Sequence, residues 1–152
     1  MINHVWTVIC EQTLVNPETN NISLINTLNE IPVIKINQEK DKYTLDKFLI
    51  CSKWHKTGDR KETFSFKAII ADGEKVLETA TPDEMAIDSD GTMVSLNLEV
   101  NALNVKNHGL HQIQIEYKTG AQKKWRNVAT IPFHVNKLTN AEINSPTKAK
   151  TK

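Results

Sequence analysis

Four acidic residues close together, Asp83, Glu84, Asp88 and Asp90, are the first place to look for chemistry. Asp88-Ser89-Asp90-Gly91 has the Asp-x-Asp-Gly spacing of loops that hold calcium through oxygen ligands. A complete loop of that kind needs further oxygen ligands and a bidentate glutamate, and none stands at the required spacing. A plainer account competes with it: Glu84 serves a helix cap and Asp90-Gly91 makes a turn. Asp88 and Asp90 are therefore weak candidates as metal ligands, and no metal or other cofactor is assigned.

A second group combines positive charge with aromatic rings. Lys123, Lys124, Trp125 and Arg126 follow one another, with Trp54 between Lys53 and His55, and Arg60-Lys61 a little further on. Lysine and arginine beside an exposed tryptophan contact phosphates while the indole stacks on a base or a sugar. The plainer account is a solvated hairpin tip whose tryptophan packs at the edge of the core. Trp54, Lys123, Lys124, Trp125 and Arg126 are the candidate ligand or partner contacts.

Five histidines stand apart: His4, His55, His108, His111 and His134. His108 and His111 could supply two zinc ligands if a third came from another strand, but no Cys or carboxylate lies at a supporting spacing. Isolated histidines on strands are more often packed or solvated. Cys51 and His55 share a strand face, yet four residues at about 3.3 Å each keep them more than ~10 Å apart, too far for a dyad. There is no Gly-x-Ser-x-Gly elbow, no glycine-rich phosphate loop and no His-Glu-x-x-His. The expectation is a protein that is not an enzyme.

Whatever these residues do, short strands must position them. The chain has 152 residues, 39% hydrophobic and 24% charged, enough for one domain with a real core. The dominant period is two. Eight runs are expected as strands: 4–15, 22–30, 43–55, 62–71, 74–80, 94–102, 111–117 and 125–135. Phe64, Phe66, Ala68 and Ile70 alternate strictly, and Asp72-Gly73 gives a two-residue hairpin turn. Asn16 to Asn21 supplies turn chemistry between the first two strands. Thr81-Pro82-Asp83-Glu84 has the parts of a capping box, so one helical turn is expected at 81–85.

Such a pattern predicts an all-β antiparallel sandwich of about seven to eight strands, with immunoglobulin-like and C2-like topologies both open. Reversal at every connection would gather the 56–61, 81–91 and 119–125 loops at one end, where sandwich proteins usually bind. The sandwich is expected over residues 1–136. Beyond it, residues 137–152 replace apolar residues with Asn, Thr, Ser, Pro and Lys, as a disordered basic tail does.

That tail carries four lysines against one glutamate, so the net charge of +1 divides into +3 on the tail and −2 on the body. A near-neutral body makes nucleic acid an improbable partner. No run approaches the ~18 apolar residues of a membrane helix. Val5 to Cys10 is too short and uncharged ahead to serve as an export signal, which points to the cytoplasm. Cys10 and Cys51 accordingly read as buried thiols, and the Asn21-Ile22-Ser23 sequon as unused.

Val5-Trp6-Thr7-Val8-Ile9-Cys10-Glu11-Gln12, followed by Ile22-Ser23-Leu24-Ile25 and the polar end before Ile31, resembles the opening of a bacterial β-sandwich family of unknown function. Its members open with a strand holding Cys or Asp, a turn, and a second strand of the Leu-Ser-Leu-Ile kind. They close with a Gly-led strand and a last apolar strand, which Gly109-Leu110-His111-Gln112-Ile113 and Ile131-Pro132-Phe133-His134-Val135 resemble. The resemblance covers most of residues 4–136 and rests on strand patterns. It implies the fold and no activity.

The functional expectation is a non-enzymatic protein-interaction or structural module, acting through the loop end, an exposed sheet edge or the tail. Partners would be another protein or a second copy of the chain. The rival expectation is a sandwich that binds a carbohydrate or other small ligand on its loop tryptophans.

Overall fold

The structure is a computed structural model that describes residues 1–19, 21–37, 42–73, 75–81, 84–88, 90–122 and 124–136. No helix occurs among them. One sheet is antiparallel throughout, with β1 (Ile2–Val15) and β6 (Phe48–Lys56) at its centre, β2 (Ile22–Thr27) beyond β1 and β10 (Met93–Val100) beyond β6. The other has the order β3 (Glu30–Ile31), β13 (Arg126–Val135), β12 (Gly109–Thr119), β7 (Glu62–Asp72), β8 (Lys75–Ala80), with β9 (Met85–Ile87) also on β7. Its β3–β13 pair is parallel. A three-stranded ribbon of β4 (Val33–Asn37), β5 (Lys42–Leu45) and β11 (Asn104–Val105) completes the fold.

Period-two alternation explains how the two large sheets meet. Phe64, Phe66, Ala68 and Ile70 on β7 are all buried, as are Ile113 and Ile115 on β12 and Phe133 and Val135 on β13. Facing them, β6 buries Phe48, Ile50 and Trp54, and β1 buries Ile2 and Ile9. Ring contacts between Phe48 and Phe133, at 6.2 Å, and between Trp54 and Phe66, at 6.1 Å, tie one sheet to the other. Each such side chain removed from water contributes roughly 1.5–3 kcal/mol, so this layer holds the sandwich. The all-β sandwich is thus as expected.

Several boundaries differ from the sequence expectation. The run 43–55 is two strands, because the chain bends at Asp46, whose backbone N–H reaches the Pro32 carbonyl at 2.8 Å. The run 22–30 also divides: Asn26 has φ of 50°, and Glu30–Ile31 then leaves for the opposite sheet. Residues 33–37, not expected as a strand, pair with β5. Of the expected helical turn, Pro82 and Asp83 lie outside the described residues, and Thr81 and Glu84 are not helical. Met85–Ile87 is instead strand, held by pairing with Glu62–Phe64. The hairpin at 72–75 turns one residue later than expected, since Asp72 already faces Lys75. The expected tail at 137–152 lies outside the described residues.

β1 carries a bulge. Its register against β6 shifts between His4 and Trp6, which turns His4 inward onto Trp54 at 5.0 Å. Further along, Asn97 Nδ2 donates to Thr13 Oγ1 at 3.3 Å, so the far part of β1 reaches β10 across the intervening strand.

Candidate functional site

Three loops meet where β6, β7, β10 and β12 end or begin. Gly58, with φ of 87° in the 57–61 loop, donates its N–H to Asp90 Oδ1 at 2.5 Å. The Gly91 N–H donates to the Lys56 carbonyl at 3.0 Å, and Lys56 N–H to the Thr92 carbonyl at 2.9 Å. From the third loop, the Gly120 N–H reaches the Thr63 carbonyl at 2.9 Å, and Gln122 N–H closes a turn on Thr119 at 2.8 Å. The gathering of these loops at one end, argued above from chain reversal, is what the hydrogen bonds show.

Between the first and third of them lies a cleft of about 680 Å³. Ile2, Tyr117 and Ala121 give it apolar wall, and Arg60, Lys61, Glu62 and Gln122 give it polar groups. The charges differ in how far they are spoken for. Lys61 Nζ is 3.1 Å from Asp88 Oδ1, an exposed pair worth little in water. Glu62 faces the Met1 amine. Arg60 is exposed and has no ion pair or hydrogen bond among the described residues. Gln122 Oε1 is buried without a hydrogen-bond partner, a cost of roughly 1–3 kcal/mol unless something donates to it.

Asp88 and Asp90 are each engaged by other groups of the protein. Asp90 accepts backbone N–H groups from Gly58 and then Gly91, and these hold its carboxyl below the usual aspartate value, with Lys56 and His55 adding smaller effects. Asp88 faces Lys61. Among the described residues no three His, Cys, Asp or Glu side chains gather to hold a metal ion. Ser89 and Asp83 lie outside the described residues.

The two tryptophans are not on one surface. Trp54 is 0% exposed, packed by His4, Phe64, Phe66 and Tyr117, and its indole N–H has no partner. The alternation of β6 turns it inward with Phe48 and Ile50, so it cannot serve as the exposed stacking platform the basic–aromatic pattern suggested. Lys56, its neighbour on the same face, is also fully buried and donates from Nζ to the Gly58 carbonyl. Trp125 is half-buried, with Lys67 Nζ 4.6 Å and Lys118 Nζ 5.0 Å from its ring centroid. Lys67 in turn pairs with Glu116 at 2.8 Å. Its aromatic face therefore already carries two ammonium groups, each contact worth roughly 0.5–1 kcal/mol at such a site. Lys124 and Arg126 are exposed beside it, and Lys123 lies outside the described residues.

The histidines do not converge. His111 is buried against Phe133, its Nδ1 3.2 Å from the Gly109 carbonyl, while His108 lies on Tyr43 at 4.0 Å. His4 Nε2 is 2.7 Å from Thr7 Oγ1, which is 2.9 Å from Ser52 Oγ, a chain of polar groups at the core's edge. Cys10 and Cys51 are free, buried thiols with sulfurs 3.4 Å apart. Burial, then the hydrogen bond it shares with Cys10, pushes Cys51 up to about 12.

Sequence reasoning reached Arg60, Lys61 and Gln122 only as neighbours of the tryptophans, and missed Ile2, Tyr117 and Thr119. Their signal is positional: Thr119 ends the strand that feeds the 119–125 loop, Tyr117 precedes it by two, and Ile2 opens β1 opposite Lys56, the end of the strand that feeds the 57–61 loop.

No family model matches the chain, and no curated protein matches it. Among solved structures it is similar to the candidate ApaA protein of Bordetella pertussis, at 10% identity over 90% of this chain and 97% of that one, with a TM-score of 0.43. It is also similar to the N-terminal domain of PorA, at 8% identity over 86% and 96%, with a TM-score of 0.32. At such scores neither carries an argument about activity. No helix among the described residues is long and apolar enough to cross a membrane.

Proposed function

We propose that this protein is a non-enzymatic interaction module and that its working surface is the loop end of the sandwich. One observation supports this reading above others: a cleft of about 680 Å³ between hydrogen-bonded loops, with an arginine at its wall that no described group neutralises. A volume of several hundred Å³ with apolar walls and few polar groups suits a ligand or an inserted chain segment. Backbone hydrogen bonds hold the loops in advance, which lowers the entropy lost on binding.

Capture from cells tests the reading with three baits: the full chain, its Arg60→Glu variant and residues 1–136. A partner kept by residues 1–136 and lost by Arg60→Glu supports the loop end. A partner lost only by truncation assigns binding to residues 137–152 instead. A partner kept by all three points to a sheet edge, for which β10 is a candidate: it pairs with β6 over eight residues and has no second neighbour in its sheet among the described residues.

A further inference from the structure

We propose that β10 is the interface of a two-fold dimer, in which the β10 strands of two copies pair antiparallel and join two four-stranded sheets into one. The inference is independent of the loop end. Lys56 N–H donates to the carbonyl of Thr92, which stands opposite it in the unbroken β6–β10 register. Hydrogen-bonded and non-bonded pairs alternate along an antiparallel ladder, so Val94, Leu96, Leu98 and Val100 turn their backbone groups to β6. Met93, Ser95, Asn97 and Glu99 turn theirs outward, where no described residue meets them. Free edges are normally blunted by short length, bends, bulges, proline or lysine. Among the described edges of the two large sheets, β3 and β9 have two and three residues, and Asn26 bends β2 with its φ of 50°. β8 carries Lys75 and is bulged against β7. β10 alone runs eight residues in unbroken register with no lysine, arginine or proline.

What fits this edge is a second copy of it, because its pattern is symmetric about Leu96. Val94 and Leu98 flank Leu96 on the inner face, and Ser95 and Asn97 flank it on the outer. A two-fold axis at Leu96 sets it against the partner's Leu96, Val94 against the partner's Leu98, and Ser95 against the partner's Asn97. Every outward residue then meets an outward residue, giving about eight hydrogen bonds between the strands. Glu99, the one charge on β10, falls opposite the partner's Met93, so like charges do not meet. Val94, Leu96 and Leu98 pack on the core yet stay only half-buried, and the partner's strand covers what is left open. The β1–β2 hairpin reaches the same place, since Thr13 Oγ1 accepts from Asn97 Nδ2 at 3.3 Å. The next residues along it, Leu14 and Val15, are 52% and 55% exposed and offer apolar surface beside the edge. Two-fold pairing also uses up both free edges at once, so assembly stops at two copies.

Sedimentation of the full chain over a concentration series gives the first readout. A dimer should form, and a monomer persisting up to ~1 mM overturns the inference. Amide hydrogen exchange then locates the contact: the Ser95 and Asn97 N–H groups should exchange at least ~10-fold more slowly in the dimer than at monomeric dilution. A dimer in which both exchange as fast as in the monomer overturns the inference. Two double variants test the pairing itself, Ser95→Lys with Asn97→Lys and Ser95→Glu with Asn97→Glu. Each sets like charges against each other across the axis while leaving the bonds to β6 in place, so each alone should be monomeric. An equimolar mixture should restore a dimer holding one copy of each. A dimer that survives in either variant alone overturns the inference, as does a mixture of two folded variants that stays monomeric. Should a variant fail to fold, the exchange of the unaltered chain decides.

Discussion

A half-buried histidine and a fully buried lysine show how the sandwich accommodates groups that ordinarily seek water. Burial lowers the pKa of His4 below its ordinary 6.5, against a smaller raising effect from a backbone hydrogen bond at Trp6. The unfolded chain therefore takes up the proton first as pH falls. Stability is complete above pH 6.5, erodes below it, and levels off once the folded imidazole is protonated too. Urea unfolding midpoints across pH 4–8 should show this loss, and His4→Asn should flatten the part of it that lies just below neutrality. Lys56 presents the opposite case, a fully buried ammonium whose one hydrogen bond among the described residues is to the Gly58 carbonyl. Desolvating an ammonium costs several kcal/mol, and an apolar side chain of similar volume avoids that cost. Lys56→Met should leave the urea midpoint unchanged or raise it, whereas Lys56→Ala should lose about 2–4 kcal/mol through the cavity it opens. A fall with methionine equal to that with alanine would show that the ammonium itself holds the 57–61 loop.

At the scale of elements, what could be read from the sequence was whatever local alternation decides. Phe64 to Ile70 reads as one buried strand face and is one. Asn16 reads as a turn former, and its Oδ1 accepts the Glu18 and Thr19 N–H groups at 2.9 and 3.1 Å. What could not be read depends on partners distant in sequence. No proline or glycine marks the break at Asp46, because the bend is made by a hydrogen bond to Pro32. The capping signal at 81–84 competes with strand pairing to β7, and at Met85 the pairing prevails. The cleft was legible only as a set of loops at one end. Its walls come from strand ends whose apolar residues look like any other core positions. Trp54 illustrates the limit, since flanking lysines suggested exposure while the strand's alternation placed it inside. Gly120 marks the closest approach at the cleft: a Cβ there would lie 2.6 Å from Thr63 Oγ1. Gly120→Val should therefore cost about 1–3 kcal/mol in urea unfolding. Gly120→Ala should cost less, because rotation of the Thr63 side chain relieves the contact.

For the molecule as a whole, the central question is whether the sandwich needs residues 137–152. The last described strand is well secured before them. Val135 is 2% exposed and pairs with both Gly109 and Ile31, and Asn136 Nδ2 donates to Glu30 Oε2. The segment beyond is rich in Lys, Thr and Asn, and its composition offers few apolar side chains to set against the entropy of ordering it. Residues 1–136 should unfold within about 0.5 kcal/mol of the full chain. The cysteines provide a second, local readout. With Cys51 pushed up to about 12, its thiolate is scarce at pH 8, and both sulfurs are buried between β1 and β6. Reactive thiolate and solvent access are both needed for attack on a disulfide reagent. Neither cysteine should react with one in the native full chain over minutes, and both should react in denaturant. The same protection is expected in residues 1–136. Rapid labelling of Cys10 or Cys51 in the shortened chain, while both stay protected in the full one, would show that residues 137–152 cover the outer face of the first sheet. In that event the domain extends past residue 136, and the +3 charge carried there belongs to the folded surface rather than to a tail.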